Sequence, residues 1–230
     1  MKIIIATIKS WNIENANKLA ETNNDCEVYV ITEKSELNYE FVSAFDPDFI
    51  FFPHWSYFIP EEIFANYTCV VFHMTDLPYG RGGSPLQNLI VRGHSETMIS
   101  AIKVVEEVDA GPIYFKEQLS LDGSADEIFR RAADIIFDKM IPRFMKEELE
   151  PIPQSGEVVT FERRKPTDSE LNNKMELETV YDYIRMLDGE GYPRAYIEYG
   201  KNKMLFSEAK RGFDSEGEYI EAKVLIRSNQ

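Results

Sequence analysis

The amino-acid sequence predicts an α/β fold with a mostly parallel sheet, helices on both faces, and a small α+β subdomain at the carboxyl-terminal end. Three observations lead to this prediction. Four strand-length runs in the first part of the chain are apolar throughout, which is typical of parallel strands that are buried on both faces. Segments with helical spacing of apolar residues separate these runs. A turn-rich stretch, PIPQSGE, then marks the end of the first domain.

The four apolar runs are KIIIAT, CEVYVIT, PDFIFFP and CVVFHM. NIENANKLAETN follows the first run and repeats apolar residues at helical spacing, while PEEIFANY follows the third with the proline and acids of a helix's first turn. In parallel sheets, ligands bind at the carboxyl ends of the strands. His54 and His73 both lie at predicted carboxyl ends, so we expect them in the ligand crevice.

Further elements follow the fourth run. SPLQNLIVRGH predicts a helix with Ser84 as its N-cap and Pro85 at its first position. TMISAIKVVE and PIYFKEQLSL predict strands, and Ser124 to Lys146 predicts one long amphipathic helix. A helix at TVYDYIRMLDG and strands around RAYIEYG and KMLFSEA complete the chain. We therefore expect a core at residues 1–150, a linker at 151–166 and a subdomain at 167–230.

Composition limits the function. Forty acidic against twenty-five basic residues give a net charge of -15, and nucleic-acid binding depends on a basic surface, so we expect no nucleic-acid partner. The two cysteines, Cys26 and Cys69, each open an apolar run and read as structural, with no metal-binding pattern. No apolar run approaches the ~20 residues of a membrane span, and no signal peptide is evident. The sequence thus predicts a cytoplasmic protein without a membrane partner or a metal.

One constellation indicates chemistry. His73 ends the fourth apolar run, Asp109 lies in a VDAGP turn, and the loop LPYGRGGSP lies between them. Histidine can take and give a proton near neutral pH, and a carboxylate can orient its ring. On spacing alone, a structural histidine and a turn aspartate remain the alternative.

The residues between the pair carry a resemblance. The stretch HMTDLPYGRGGSPLQNLIVRGHSETMISAIKVVEEVDAGPIYFKEQL resembles the Rossmann-like core of the 10-formyltetrahydrofolate-dependent formyltransferases. The matching positions are His73, Leu77-Pro78, Arg81-Gly82, Pro85, Gly93, Thr97 and Asp109-Ala110-Gly111. The carboxyl-terminal part matches at Arg164, Pro166, Asp168, Ile184-Arg185 and Pro193-Arg194-Ala195.

The resemblance implies direct attack of an acceptor amine on the formyl carbon, with 10-formyltetrahydrofolate as cosubstrate and no metal. His73 would accept the amine's proton, and Asp109 would orient His73 and assist proton delivery to the departing folate nitrogen. It also implies cofactor contacts in two segments, at Phe52, Pro53, His54 and Trp55 and at Val105 to Asp109.

One position departs from the family pattern. The family has an asparagine two positions before the histidine, where this chain has Val71. In the family, that amide is thought to hold the formyl oxygen as it becomes an oxyanion, and losing such a donor costs ~100- to 1000-fold in rate. The candidates for its replacement are Gln87, Asn88, Thr75 and His54.

The acceptor is predicted by elimination within the family. The tRNA-modifying members carry a larger basic carboxyl-terminal domain, so the short acidic chain favours the sugar N-formyltransferases. The candidate acceptor is the 4-amino group of a UDP-linked 4-amino-4,6-dideoxyhexose from a pseudaminic-acid-like surface glycan pathway. The residues expected to bind this nucleotide-sugar are Lys9, Ser10, Trp11, Thr75, Tyr79, Arg81 and Gly82.

Alternatives remain open at this point. Trp11 is equally well explained as a packing aromatic. Val71 motivates a noncatalytic module that binds folate or a nucleotide-sugar, and a formyltetrahydrofolate hydrolase would keep the same pair with water as the acceptor. A homodimer through the strand-rich subdomain is a further arrangement that the sequence allows.

Overall fold

The structure is a computed structural model that describes residues 1–23 and 25–228. Strands and helices alternate through the first half of the chain. They are β1 (Lys2–Ala6), α1 (Ser10–Thr22), β2 (Glu27–Ile31), α2 (Tyr39–Phe45), β3 (Phe49–Phe52), α3 (Glu61–Phe64), β4 (Cys69–His73), β5 (Tyr79–Gly82), α4 (Pro85–Val91), β6 (Glu96–Lys103) and β7 (Ile113–Ser120).

The second half begins with helices and ends with strands. Its elements are α5 (Ala125–Ile135), α6 (Ile141–Lys146), β8 (Val159–Phe161), α7 (Leu177–Arg185), β9 (Tyr196–Tyr199), β10 (Asn202–Asp214) and β11 (Gly217–Ser228). A π-helical stretch, Ile136–Met140, joins α5 to α6, so the predicted single helix is continuous but changes its winding. Short 3₁₀ turns lie at Lys34–Glu36 and Pro166–Ser169.

Six strands form the main sheet in the order β2-β1-β3-β4-β6-β7. β1 pairs in parallel with β2 and β3, and β3 pairs in parallel with β4. β6 pairs antiparallel to β4, with His73 opposite Ser100. Helices flank this sheet, so the predicted Rossmann-like α/β fold with a small carboxyl-terminal subdomain is confirmed.

The central strands are apolar because both of their faces are covered. Ile3, Ile4 and Ile5 of β1 are fully inaccessible to solvent, and so are Ile50 and Phe51 of β3. Burying an aliphatic or aromatic side chain contributes about 1.5–3 kcal/mol each to folding. Cys26 and Cys69 are free and buried, and burial raises the pKa of the Cys69 thiol to about 12. Both cysteines therefore pack as small apolar residues.

The chain forms two compact units that interleave along the sequence. The first comprises Met1–Gly82, Thr97–Leu119 and Arg130–Thr160, and the second comprises Gly83–Glu96, Ser120–Phe129 and the chain from Phe161 onward. The predicted domain boundaries, at 1–150, 151–166 and 167–230, stay a prediction, and residues 229 and 230 lie outside the described part of the chain.

The second unit contains a three-stranded antiparallel sheet in the order β11-β10-β9. β10 is much longer than the segment KMLFSEA predicts, and β11 has no counterpart among the predicted strands. The register of the β10–β11 pair shifts between Ser207 and Lys210, which is a β-bulge. The extra residue in β10 and the irregular order of polar and apolar residues in β11 explain why apolar pattern alone missed this hairpin.

None of the helices in the described part of the chain combines the length and apolar character that a membrane span requires. Within residues 1–23 and 25–228, no group of three or more His, Cys, Asp or Glu side chains is arranged to hold a metal ion.

Candidate active site at the carboxyl ends of the parallel strands

His73 ends β4 and lies at the carboxyl edge of the parallel strands. Its side chain is only 8% exposed. Its Nδ1 lies 3.4 Å from Asp109 Oδ1, and its Nε2 lies 2.8 Å from the carbonyl oxygen of Gly80. The structure therefore brings the predicted pair together, and it adds a backbone partner on the other side of the ring.

These contacts constrain the hydrogens on the ring. A carbonyl oxygen only accepts hydrogen bonds, so Nε2 carries a hydrogen in this arrangement. An imidazole with its single hydrogen on Nε2 would present a lone pair to the Asp109 carboxylate. The contact becomes favourable when a hydrogen lies between Nδ1 and Oδ1. Asp109 is thus placed within ion-pair distance of Nδ1, where its carboxylate can orient the ring through a hydrogen on that nitrogen.

Asp109 is held from the side of the loop as well. Its Oδ2 accepts a hydrogen bond from the Gly82 backbone N–H at 2.9 Å. Its φ of 56° is in the left-handed region, which costs a non-glycine residue energy and persists only where neighbouring contacts hold it. The Gly82 backbone thus orients the carboxylate, and its predicted binding of substrate stays a prediction.

Gly111 explains the Asp-x-Gly spacing. A Cβ at this position would lie 1.7 Å from the carbonyl oxygen of Lys103 in β6, far inside van der Waals contact. Lys103 N also donates to Pro112 O at 2.9 Å. The turn therefore approaches β6 main chain to main chain, and only glycine fits.

The loop between β4 and β5 is fixed by buried polar contacts. Thr75 is fully buried, and its Oγ1 donates to Gly80 O at 3.3 Å. Ser100 Oγ donates to Thr75 O at 2.7 Å. Lys116 contacts the Asp76 carboxylate and donates to Leu77 O at 2.6 Å. Thr75 therefore stabilises the loop that carries Gly80.

Arg81 is engaged within the first unit. Its Nε and Nη2 donate to Gln154 Oε1 at 3.1 and 2.8 Å, and its Nη1 lies 3.1 Å from the exposed Glu107 carboxylate. Gln154 Nε2 in turn donates to Asp109 O and Gly111 O at 2.7 and 2.8 Å. Sequence reasoning treated Gln154 as part of a boundary, and its spacing carried no signal because it lies 45 residues beyond Asp109.

Val71 occupies the position of the family's asparagine. Alternation along β4 puts residues 71 and 73 on the same face of the strand. Val71 pairs with Phe52 on β3 and packs against the apolar cluster that includes Ile50, Phe52 and Cys69. The position therefore lies beside His73 and offers no hydrogen-bond donor from its side chain.

Two of the candidates for the missing amide have structural partners in the second unit. Gln87 Nε2 donates to Met186 O at 3.0 Å, and the Gln87 amide also bonds the Tyr192 hydroxyl. Asn88 Nδ2 donates to Gly83 O, Ser84 O and Glu162 O at 2.9–3.1 Å. Both amides stabilise backbone around α4, and their catalytic role stays a prediction.

Ser84 precedes α4 as predicted, but it does not cap the helix with its side chain. Its φ of 51° is left-handed, and its Oγ accepts a hydrogen bond from Arg164 N at 3.1 Å. The predicted side-chain cap is wrong because the hydroxyl is turned toward another segment.

His54 follows β3 at a φ of 56°. The parallel pairing of β3 with β4 ends at Phe52 opposite Val71, and His54 lies in the turn that follows. Burial, with a smaller contribution from the Lys9 ammonium, lowers the pKa of His54 to about 4. His54 is therefore a neutral imidazole at neutral pH, with a hydrogen on only one of its two ring nitrogens.

Trp11 packs in the interior rather than presenting a stacking face. It is 3% exposed, its ring meets the His54 ring edge-on at 6.1 Å, and Lys9 Nζ and Arg130 Cζ lie over it at 5.7 and 5.6 Å. Ser10 begins α1 and is exposed, whereas Tyr79 is half-buried in β5. The geometry supports the packing interpretation of Trp11.

The two predicted cofactor segments differ in burial. Phe52 and Pro53 are buried, whereas Trp55 and His54 are half-buried and Val105 is 37% exposed. Three buried polar atoms at this edge, Thr7 Oγ1, Asn12 Oδ1 and Trp55 Nε1, have no hydrogen-bond partner in the described part of the chain. Buried polar atoms are normally paired, so the edge fits a ligand that has both polar groups and flat apolar rings, as folate has.

Comparison with known proteins agrees with the geometry. The model of the family described as formyl transferase matches residues 9–135, which is more than half of the chain. A second model, described as the C-terminal domain of methionyl-tRNA formyltransferase, matches residues 166–227.

Individual relatives show the same relationship. Methionyl-tRNA formyltransferase of Bacillus cytotoxicus is 33% identical over 174 residues, which are 72% of this chain and 54% of that protein. The chain thus spans about half the length of the curated relatives it matches. The solved methionyl-tRNA formyltransferase from Clostridium thermocellum is 55% identical, covers 99% of both chains and superposes with a TM-score of 0.95.

The predicted nucleotide-sugar acceptor is wrong. A sugar N-formyltransferase from a Shewanella species is only 16% identical, with 90% of this chain and 97% of that chain covered and a TM-score of 0.69, which shows a common fold alone. The length criterion failed because the 55% identical relative has the same extent. The surface-glycan role and the nucleotide-sugar partner are withdrawn with it.

The predicted absence of a nucleic-acid partner is wrong as well, since the similar relatives are named for methionyl-tRNA. Net charge averages over the whole surface, whereas binding depends on local arrangement. The cofactor prediction, 10-formyltetrahydrofolate, is confirmed by the family match. Together, the matched region, the relatives and the site geometry show that this chain belongs to the formyl transferase family.

Proposed function

We propose that this chain transfers the formyl group of 10-formyltetrahydrofolate to the amino group of methionyl-tRNA. The observation that carries the acceptor is the 55% identity, over 99% of both chains, to a protein described as methionyl-tRNA formyltransferase. The run Arg163-Arg164-Lys165, in which Arg163 and Lys165 are exposed, offers local positive charge on an acidic chain.

The donor would lie along the carboxyl edge, against Trp55 and the exposed Val105 and Val108. When bound, it supplies an activated formyl carbon. Trp55 Nε1, Asn12 Oδ1 and Thr7 Oγ1 are the buried polar atoms available to it.

His73 and Asp109 handle the proton in this proposal. An amine that bonds to the formyl carbon must lose a proton, and the departing folate nitrogen must gain one. With its single hydrogen on Nδ1, facing the Asp109 carboxylate, His73 would have a lone pair on Nε2, which would accept the amine's proton and then deliver it to the departing folate nitrogen. The contact from Nε2 to Gly80 O must open for Nε2 to reach a substrate atom.

His54 replaces the missing amide of Val71 in this proposal. It is neutral and lies two residues after β3, at the carboxyl edge of the parallel strands. A neutral imidazole has one N–H, which would have to turn from its present surroundings to the formyl oxygen as negative charge develops there.

The test is acid-precipitable incorporation of labelled formyl by the purified full chain. The donor is 10-formyltetrahydrofolate, the acceptor is methionyl-tRNA, and uncharged tRNA and free methionine are controls. We expect label only with methionyl-tRNA. No label at enzyme concentrations equal to the acceptor, with the donor shown to bind, would contradict the proposal.

A further inference from the structure

The structure assigns to Gln154 the role of a positioning residue for Asp109, a role that rests on the proposed function. Gln154 lies between α6 and β8, away from the motif that identifies the pair. Its amide contacts the backbone of the Asp109 turn and the side chain of Arg81, so any effect on His73 passes through Asp109.

All four hydrogen-bonding positions of the Gln154 amide are used. Its two N–H groups face two carbonyl oxygens, Asp109 O at 2.7 Å and Gly111 O at 2.8 Å. Its oxygen accepts from Arg81 Nε and Nη2. The donors of Arg81 and the two carbonyls allow only one orientation of the amide. A part-buried amide satisfied on every side is rigid, so it can hold what it touches.

The two carbonyls enclose the residue whose conformation is costly. Asp109 has a φ of 56°, and the two carbonyl oxygens that Gln154 contacts belong to the first and the last residue of the segment Asp109-Ala110-Gly111. One nitrogen bound to both carbonyls fixes the turn across three residues. Meanwhile Gly82 N and His73 engage the Asp109 carboxylate from the opposite side. The side chain of Asp109 points at His73 because the backbone beneath it cannot rotate.

Arg81, which lies in β5, connects the Gln154 amide to that strand. Its fork on Gln154 Oε1 links the strand that contains Gly80 and Gly82 to the segment that holds the turn. Gly80 O bonds His73 Nε2, and Gly82 N bonds Asp109 Oδ2. Gln154 thereby connects β5, which contacts both His73 and Asp109, to the turn that carries Asp109.

The amide cannot be replaced by related side chains. A glutamate keeps the oxygen for Arg81 but has no N–H for the carbonyls, and its charge repels them. An asparagine has one methylene fewer and cannot span both the carbonyls and the guanidinium. Gln154→Glu therefore removes the contact to the turn and retains the contact to Arg81.

The experiment compares Gln154→Ala and Gln154→Glu with the wild type, and uses Ile152→Ala as the control. Ile152 lies two residues earlier in the same segment and is 70% exposed. We expect kcat for methionyl-tRNA to fall by about 30-fold in both Gln154 variants, because a misplacement of about 1 Å costs up to 100-fold. KM should change by less than about threefold, since substrate contacts are untouched.

A spectroscopic signature separates positioning from general stabilisation. The chain has three histidines, so the ring signals in a ¹H–¹⁵N correlation spectrum are assignable by substitution. We expect the Nδ1 shift of His73 to change in both Gln154 variants and to remain in Ile152→Ala, while the ring signal of His94 stays in place.

The outcomes are distinct. If Gln154→Ala and Gln154→Glu keep the His73 signal and a kcat within threefold of the wild type, the role of Gln154 is wrong. If the wild type forms no formyl-methionyl-tRNA, the proposed function fails, and the His73 signal alone decides whether Gln154 positions the pair. Thermal melting identifies a variant that has lost its fold, and the second Gln154 variant then carries the test.

Discussion

His54 lies two residues after β3 and His73 ends the neighbouring parallel strand β4, yet the charged groups beside the two rings are opposite in sign. His73 lies beside the carboxylate of Asp109 and a backbone carbonyl. His54 lies against Trp11, with the Lys9 ammonium nearby, and its pKa is lowered to about 4. Burial and the nearby cation exclude a second ring hydrogen on His54. The comparison teaches that the neighbours of a histidine, more than its place in the fold, decide whether it moves protons or only donates a hydrogen bond.

The largest loss of activity should come from substitution of His73, the histidine that moves the proton. His73→Asn removes the group that accepts and returns the proton, so we expect kcat to fall about a thousandfold or more. Asp109→Asn keeps the shape and loses the charge, so its loss should be smaller, about a hundredfold. Single-turnover formylation of methionyl-tRNA measures both. Equal rates for His73→Asn and wild type would show that the pair is structural.

The next effect concerns the hydrogen-bond donor. His54→Ala should lower kcat about 100-fold, in the range for one lost oxyanion donor, and restoring an amide with Val71→Asn should recover at least about tenfold. His94→Ala, a half-exposed histidine in the second unit, is the matched control. If Val71→Asn fails to improve His54→Ala although it improves the wild type, His54 does not replace the amide.

The smallest expected effect is on stability, and it tests whether His54 is neutral in the folded chain. The folded pKa of His54 is about 4, below the unfolded value of 6.5, so the unfolded chain binds the proton first as the pH falls. The contribution of neutral His54 is therefore fully present above the unfolded pKa and is lost as the pH falls toward the folded one. We expect about 2 kcal/mol less unfolding free energy from this residue at pH 5 than at pH 7.

Urea unfolding at pH 7, 6 and 5 measures this loss. His54→Asn is the suitable variant, because asparagine tolerates the left-handed backbone of this position and has no titrating group. The variant should lack about 2 kcal/mol of the wild-type decrease over this range. An identical decrease in both proteins would contradict the assignment of a neutral His54.

The sequence was sufficient for the main sheet and for the pair. Apolar runs identify β1 to β4 because their burial on both faces leaves a continuous signal, and motif order identifies His73 and Asp109. The length of the β10–β11 hairpin was underestimated, because β11 is largely exposed, its polar and apolar residues follow no regular period, and the bulge shifts the register. Gln154 could not be found because its contacts run through backbone carbonyls distant in sequence. The acceptor was predicted wrongly because chain length and net charge do not show which local groups of side chains bind a substrate.

Gly111 has a consequence for how this site tolerates mutational drift. A Cβ at this position would overlap the carbonyl oxygen of Lys103 in β6, so the turn that carries Asp109 can keep its path only while residue 111 has no side chain. Any substitution of Gly111 would therefore displace the turn and with it the carboxylate that faces His73.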